Sequence, residues 1–108
     1  MAEPLNLLHL SQLPSGGQEL FETLLKRPGI EIERIVSTGQ TTASGQWYDQ
    51  SWDEWILLLQ GQAEIAYQVG ERVQLQAGDS LMIPAHQRHR VTRTSQVPPC
   101  IWLALHLK

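Results

Sequence analysis

Residues 71–84 read ERVQLQAGDSLMIP, and this stretch decides the fold. Val73 and Leu75 alternate with Arg72, Gln74 and Gln76, the period of two that sets one face of a strand on a core and the other in water. Ala77-Gly78-Asp79 supplies a turn, Ser80 to Ile83 form a second short strand, and Pro84 stops it. The pattern recurs just upstream. Gly61 and Gly70 bracket AEIAYQV, in which Ala63, Ile65, Tyr67 and Val69 share a face. Short apolar segments separated by glycine, proline and polar turns predict an all-β sandwich or barrel. No internal repeat, linker or low-complexity tract interrupts the pattern.

The chain has 108 residues, 42% hydrophobic and 18% charged, the composition of one globular domain over residues 1–108. Eight basic against eleven acidic residues give a net charge of −3, which argues against a nucleic-acid-binding surface. No apolar run approaches the roughly 18 residues of a membrane span. MAEPLNLLHL at the N-terminus lacks the layout of a signal peptide. One cysteine, Cys100, excludes an internal disulfide and is read as a buried core thiol. The expected compartment is therefore the reducing cytoplasm.

Four other segments carry expectations. QELFETLL (18–25) offers Leu20, Phe21 and Leu24 to a helix face, but a hairpin across Pro28-Gly29 into the alternating strand IEIERIV agrees better with its neighbours. STGQTTASGQ (37–46) reads as a mobile loop. EWILLLQ (54–60) is apolar on both faces, with Ile56 and Leu58 beside Glu54 on one and Trp55, Leu57 and Leu59 on the other. CIWLALHLK repeats this, setting Ile101, Leu103, Leu105 and Leu107 opposite Trp102 and Ala104. Strands apolar on both faces are covered on both, because a wet Trp or Leu forfeits about 1.5–3 kcal/mol. A homodimer packed through sheet faces is expected; the alternative cover is LNLLHL of the same chain.

Two stretches resemble the paired motifs of the cupin superfamily. In the first, Glu54 and Gly61 stand at the family separation in EWILLLQG, with Gly45 upstream. In the second, Gly78 and Pro84 are correctly spaced in GDSLMIP, and His89 falls on the motif histidine. The resemblance implies a double-stranded β-helix, or jelly-roll, barrel with a central pocket. It also implies a divalent metal, and here the chain departs from the pattern. The two histidines of the first motif fall on Tyr48 and Gln50 in one register and on Trp47 and Asp49 in the other, while His86 replaces the glycine of the second.

In such a barrel Glu54 and His89 are the natural first pair of ligands, on neighbouring strands. Two ligands hold a divalent ion poorly, so Gln50, Asp49, His86 and His106 are candidates to complete the set, for Mn, Fe or Zn. Alternation places Tyr48, Gln50 and Glu54 on one inward row and gives His89, Val91 and Arg93 a common phase. Each has a plainer reading: Glu54 and His89 as hydrogen-bonded wall groups, His106 as a satisfied wall or interface residue, His86 as an exposed loop residue. Tyr48, Trp47 and Trp52 offer flat surface with a polar handle for a small metabolite, and an inward Arg93 would meet a carboxylate or phosphate. Trp55 and Trp102 are expected in the core or a dimer interface. Two functions follow. One is a small-metabolite cupin with metal-assisted dioxygenase or isomerase chemistry; the other is a metal-free binding or sensing module.

Overall fold

The computed structural model describes residues 2–108. Its strands are β1 (Leu20–Arg27), β2 (Ile30–Ser37), β3 (Asp53–Gln60), β4 (Gln62–Tyr67), β5 (Arg72–Gln76), β6 (Ser80–Ile83), β7 (His89–Thr94) and β8 (Cys100–Leu107). They build a five-stranded sheet ordered β1-β2-β8-β3-β6 and a three-stranded sheet ordered β5-β4-β7, antiparallel throughout. The chain passes from one sheet to the other at the β3–β4, β5–β6, β6–β7 and β7–β8 connections, giving the expected jelly-roll sandwich. No helix among the described residues is long and apolar enough to cross a membrane.

Local chemistry explains the elements. Gly29, at φ +85°, makes the β1–β2 turn, so the hairpin and not the helix forms. The helix-like spacing of Leu20, Phe21 and Leu24 comes from a register shift between Thr23 and Leu25, a β-bulge that changes which residues share a face. Gly61 turns β3 into β4 at φ +95°, and a Cβ there would lie 2.7 Å from Ser95 Oγ and 2.9 Å from Cys100 Cα. Glycine is required on both counts, conformation and space.

Alternation then fills the interior. Ile56 and Leu58 of β3, Ile65 of β4, Leu75 of β5, Ile83 of β6 and Trp102 of β8 form the buried core. Cys100 is fully buried and reduced, hydrogen-bonded to the Gln62 carbonyl. Val69 departs from its expected row: β4 ends at Tyr67, and Val69 stands in the following turn, 87% exposed. Arg93 departs too. The β4–β7 register skips between Glu64 and Ile65, so Thr92 is bulged and the phase inverts, turning Arg93 to solvent and Thr94 inward.

The outer face of the larger sheet is covered in part by its own chain. Buried Arg34 pairs with Glu22 and donates to the carbonyls of Leu7 and His9, which ties the N-terminal segment down. Trp55 lies beyond that cover, outside the core, and is 39% exposed beside Met82. The 37–46 segment is anchored and not free. Thr42 exchanges bonds with Val91, its N–H donating to the carbonyl and its Oγ1 accepting from the amide, and Thr94 Oγ1 donates to the Gln40 carbonyl. This run lies along the outer edge of β7.

Candidate functional site

The register that packs Leu58 beside Trp102 puts Glu54 beside His106 four pairs along, at the open end of the sandwich. There the inward positions are polar and enclose a cavity of about 110 Å³. Carboxylates of Glu19, Glu33 and Glu54 line it, with the imidazoles of His89 and His106 and the side chains of Tyr48 and Gln50. Ile56, Ile65, Ile83 and Val91 make an apolar wall. The volume is of the order of the roughly 150 Å³ void that holds a benzene ring.

Glu54 is the centre of the polar group. One oxygen lies 3.9 Å from His89 Nε2 and the other 3.9 Å from His106 Nε2. Burial pushes its carboxyl above the usual range, while His106, His89 and a Gln50 hydrogen bond pull it back. Glu19 is raised by the same cause and accepts from Ser37 Oγ, which itself accepts from the Trp102 indole at 3.2 Å.

The two histidines are held in opposite tautomers. His89 Nδ1 lies 2.9 Å from the Gln87 carbonyl, which can only accept, so Nδ1 carries the hydrogen and Nε2 presents a lone pair to the cavity. Tyr48 stacks on this ring at 5.5 Å, and its backbone bridges to that of His89. For His106 the order is reversed. The Trp52 indole N–H, a donor only, points at Nδ1 at 2.9 Å, so Nε2 carries the hydrogen and donates to Glu33 at 2.8 Å. The Glu33 bond pushes the His106 pKa up against burial. Protonating Nδ1 would turn two N–H groups on each other, so the cation forms only if Trp52 moves aside.

These tautomers decide whether the residues fit the divalent ion that the family implies. Glu54 and His89 Nε2 are competent ligands. His106 is not, because its cavity-facing nitrogen bears hydrogen. Among the described residues no group of three or more His, Cys, Asp or Glu converges as a metal set. A resident divalent ion does not fit this donor set.

The structure brings together Tyr48, Gln50, Glu54, His89 and His106 and separates the other candidates. Asp49 binds His86 Nδ1 and Arg88 Nε on the surface, each at 3.1 Å. His86 sits at φ +64°, in the left-handed region that favours glycine, at the position where the motif has one. Trp47 lies under the Arg90 guanidinium at 5.7 Å. Trp52 stands behind His106, with the Lys108 ammonium over its ring. Arg93 points away. Glu19 and Glu33 were not legible as site residues, although Glu33 shares its strand phase with Ile35, a sign of an inward charge.

This fold and pocket define a jelly-roll barrel with a polar cavity at one end. The Cupin domain family matches residues 35–106, and the chain belongs to the cupin family. It is similar to a crystal structure from Ralstonia eutropha JMP134 named "putative mannose-6-phosphate isomerase", with 39% identity over 99% of both chains and a TM-score of 0.89. A cupin superfamily protein from Desulfitobacterium hafniense DCB-2 is 21% identical over 97% of this chain and 98% of that one, at a TM-score of 0.71. A cupin-2 domain containing protein from Shewanella frigidimarina NCIMB 400 is 17% identical over 92% and 85%, at 0.68. The last two share the fold alone. No curated protein matches the chain.

Proposed function

We propose that the protein is a small-metabolite cupin of isomerase type, in which side chains move the proton. The observation that carries this is the pair of opposite tautomers on one carboxylate: His89 Nε2 accepts, His106 Nε2–H donates, and each lies 3.9 Å from Glu54. A base and an acid facing one small cavity suit proton transfer next to a carbonyl. His89 removes the C–H proton, the electron pair enters the adjoining carbon–carbon bond, and the developing oxyanion takes the hydrogen bond that His106 Nε2–H gives to Glu33 at rest. Return of the proton at the neighbouring carbon, with the hydroxyl or amino proton of that end passing to the oxyanion, completes the isomerisation without oxidant or reductant. The name carried by the Ralstonia protein supports the isomerase class over the dioxygenase class, and so does a donor set that builds no metal centre.

Proton NMR in deuterium oxide tests the reading. Hydroxy- and amino-carbonyl compounds, mannose 6-phosphate included, are incubated with protein and followed for loss of the α-proton signal. Exchange is expected to fall about 10²- to 10⁴-fold in His89→Gln and to be indifferent to a chelator. Exchange that survives His89→Gln, or that stops with the chelator, overturns the proposal. A compound that binds without exchanging favours the metal-free binding module instead.

The homodimer belongs to the same proposal. Met82, 48% exposed, and Trp55 leave apolar surface on the outer face of the larger sheet, beyond the N-terminal cover. Sedimentation of the wild type as a dimer and of Trp55→Glu as a monomer supports it; a monomeric wild type overturns it.

A further inference from the structure

The pocket's inventory of donors and acceptors points to a ligand class different from that in the relative's name. Every donor in the resting cavity wall is engaged, the Tyr48 hydroxyl with Thr42. His106 Nε2–H goes to Glu33, the Trp102 indole to Ser37, the Ser37 hydroxyl to Glu19, and Gln50 to Glu54. His89 spends its N–H on the Gln87 carbonyl, behind the cavity. No lysine or arginine lines the space. What remains is acceptor capacity: the carboxylates of Glu19, Glu33 and Glu54 and one imidazole lone pair.

A second observation shows that this is more than a cluster of acids. The His89 side chain is 94% buried, and its Nε2 has no hydrogen-bond partner, the nearest being Glu54 at 3.9 Å. An imidazole lone pair held toward the cavity with no donor opposite it is open to an arriving ligand. The charges point the same way. Three carboxyl groups with no cation among them repel a phosphate or carboxylate and attract a positive charge, all the more so away from bulk water.

We propose that the cavity takes a small primary ammonium compound, its charged nitrogen between Glu54 and Glu33, the adjoining carbon facing His89 and its carbon body on the isoleucine wall. An ammonium brings three N–H donors and no acceptor, the complement of this wall. Tyr48 and Trp102 also line the cavity, and aromatic rings attract cations. The inference rests on the cavity of the proposed isomerase and names its substrate class: an amine-bearing carbonyl compound in place of a sugar phosphate. Burial raises the Glu19 and Glu54 carboxyls, and a cation seated beside them offsets that penalty.

Calorimetric titration with n-butylammonium, n-butanol, n-butyrate and mannose 6-phosphate at pH 7.5 tests it. The ammonium is expected to bind about tenfold tighter than the alcohol, and the two anions not to bind. Glu33→Gln and Glu54→Gln, each first checked for a cooperative melt, are each expected to weaken the ammonium about fivefold or more. Equal binding of all probes, preference for either anion, no binding, or unchanged affinity in both folded variants overturns the inference. Binding is read without turnover. Ammonium selectivity without proton exchange therefore keeps the ligand class and removes the reaction, whereas exchange on an anionic compound does the reverse.

Discussion

β3 and β8 run through both ends of the sandwich, and the two ends are built on different terms. At the closed end Leu58, Trp102 and Cys100 are packed to near-zero exposure around the Gly61 turn. Four residue pairs away the same strands carry Glu54 and His106 into a cavity with more acceptors than donors. The closed end maximises apolar burial. The open end keeps buried carboxyls in an environment that raises their pKa, at a cost to stability. The difference shows that one pair of strands can hold both a rigid core and a destabilised, chemically poised site, provided the core lies close enough to fix the register.

The largest expected effect breaks the closed end. Gly61→Ala places a methyl 2.7 Å from Ser95 Oγ in a left-handed backbone, so it should cost about 2–4 kcal/mol in urea unfolding. Gly78→Ala sharpens the point. That turn has φ +97° but nothing within 4 Å, so only conformational strain remains, about 1–2 kcal/mol. Equal losses at the two glycines would remove the packing argument.

The next two predictions probe the open end. Trp52→Phe deletes the donor to His106 Nδ1, at about 1 kcal/mol of stability. Its signature is in the titration: with Nδ1 free, the imidazolium forms without opposition, and the His106 pKa rises above its wild-type value. A histidine raised by a partner contributes stability below its unfolded pKa of about 6.5, lost as pH climbs through the folded value. The Phe variant should therefore extend that contribution to higher pH. A nitrogen-detected NMR titration showing no change at His106 would refute the tautomer assignment.

Glu54→Gln should act in the opposite direction on stability, raising it by about 0.5–1 kcal/mol at pH 7. The folded pKa of Glu54 is raised, so its ionisation destabilises the fold as pH rises above the unfolded value. The gain from glutamine must then shrink between pH 7 and pH 5, as read from thermal melts. The smallest effect belongs to the surface. His86→Gly relieves a left-handed residue and gives up an exposed contact to Asp49, a net gain of about 0.5 kcal/mol.

The fold was readable because ERVQLQAGDSLMIP couples period-two alternation to turn residues that tolerate few other conformations. Tyr48, Gln50, Glu54 and His89 were readable as a set because alternation and motif spacing fix which way neighbours on a strand point. Arg93 was misplaced by the Thr92 bulge, since one unpaired residue inverts the phase without altering composition. Glu19 and Glu33 escaped for a different reason: their place in the cavity depends on which strand lies beside β8, a long-range pairing that local pattern does not encode. The roles of His89 and His106 depended on Gln87 and Trp52, partners fixed only in three dimensions.

The segment from Gln40 to Tyr48, laid along β7, has a consequence for the protein as a crowded solute. β7 borders the smaller sheet, and its outward amides and carbonyls would otherwise invite strand addition by another molecule. Thr42 and Tyr48 occupy those groups with a run too polar and too short to template further growth. Deleting it would leave the larger sheet's pairing as it is and expose the molecule to edge-to-edge aggregation.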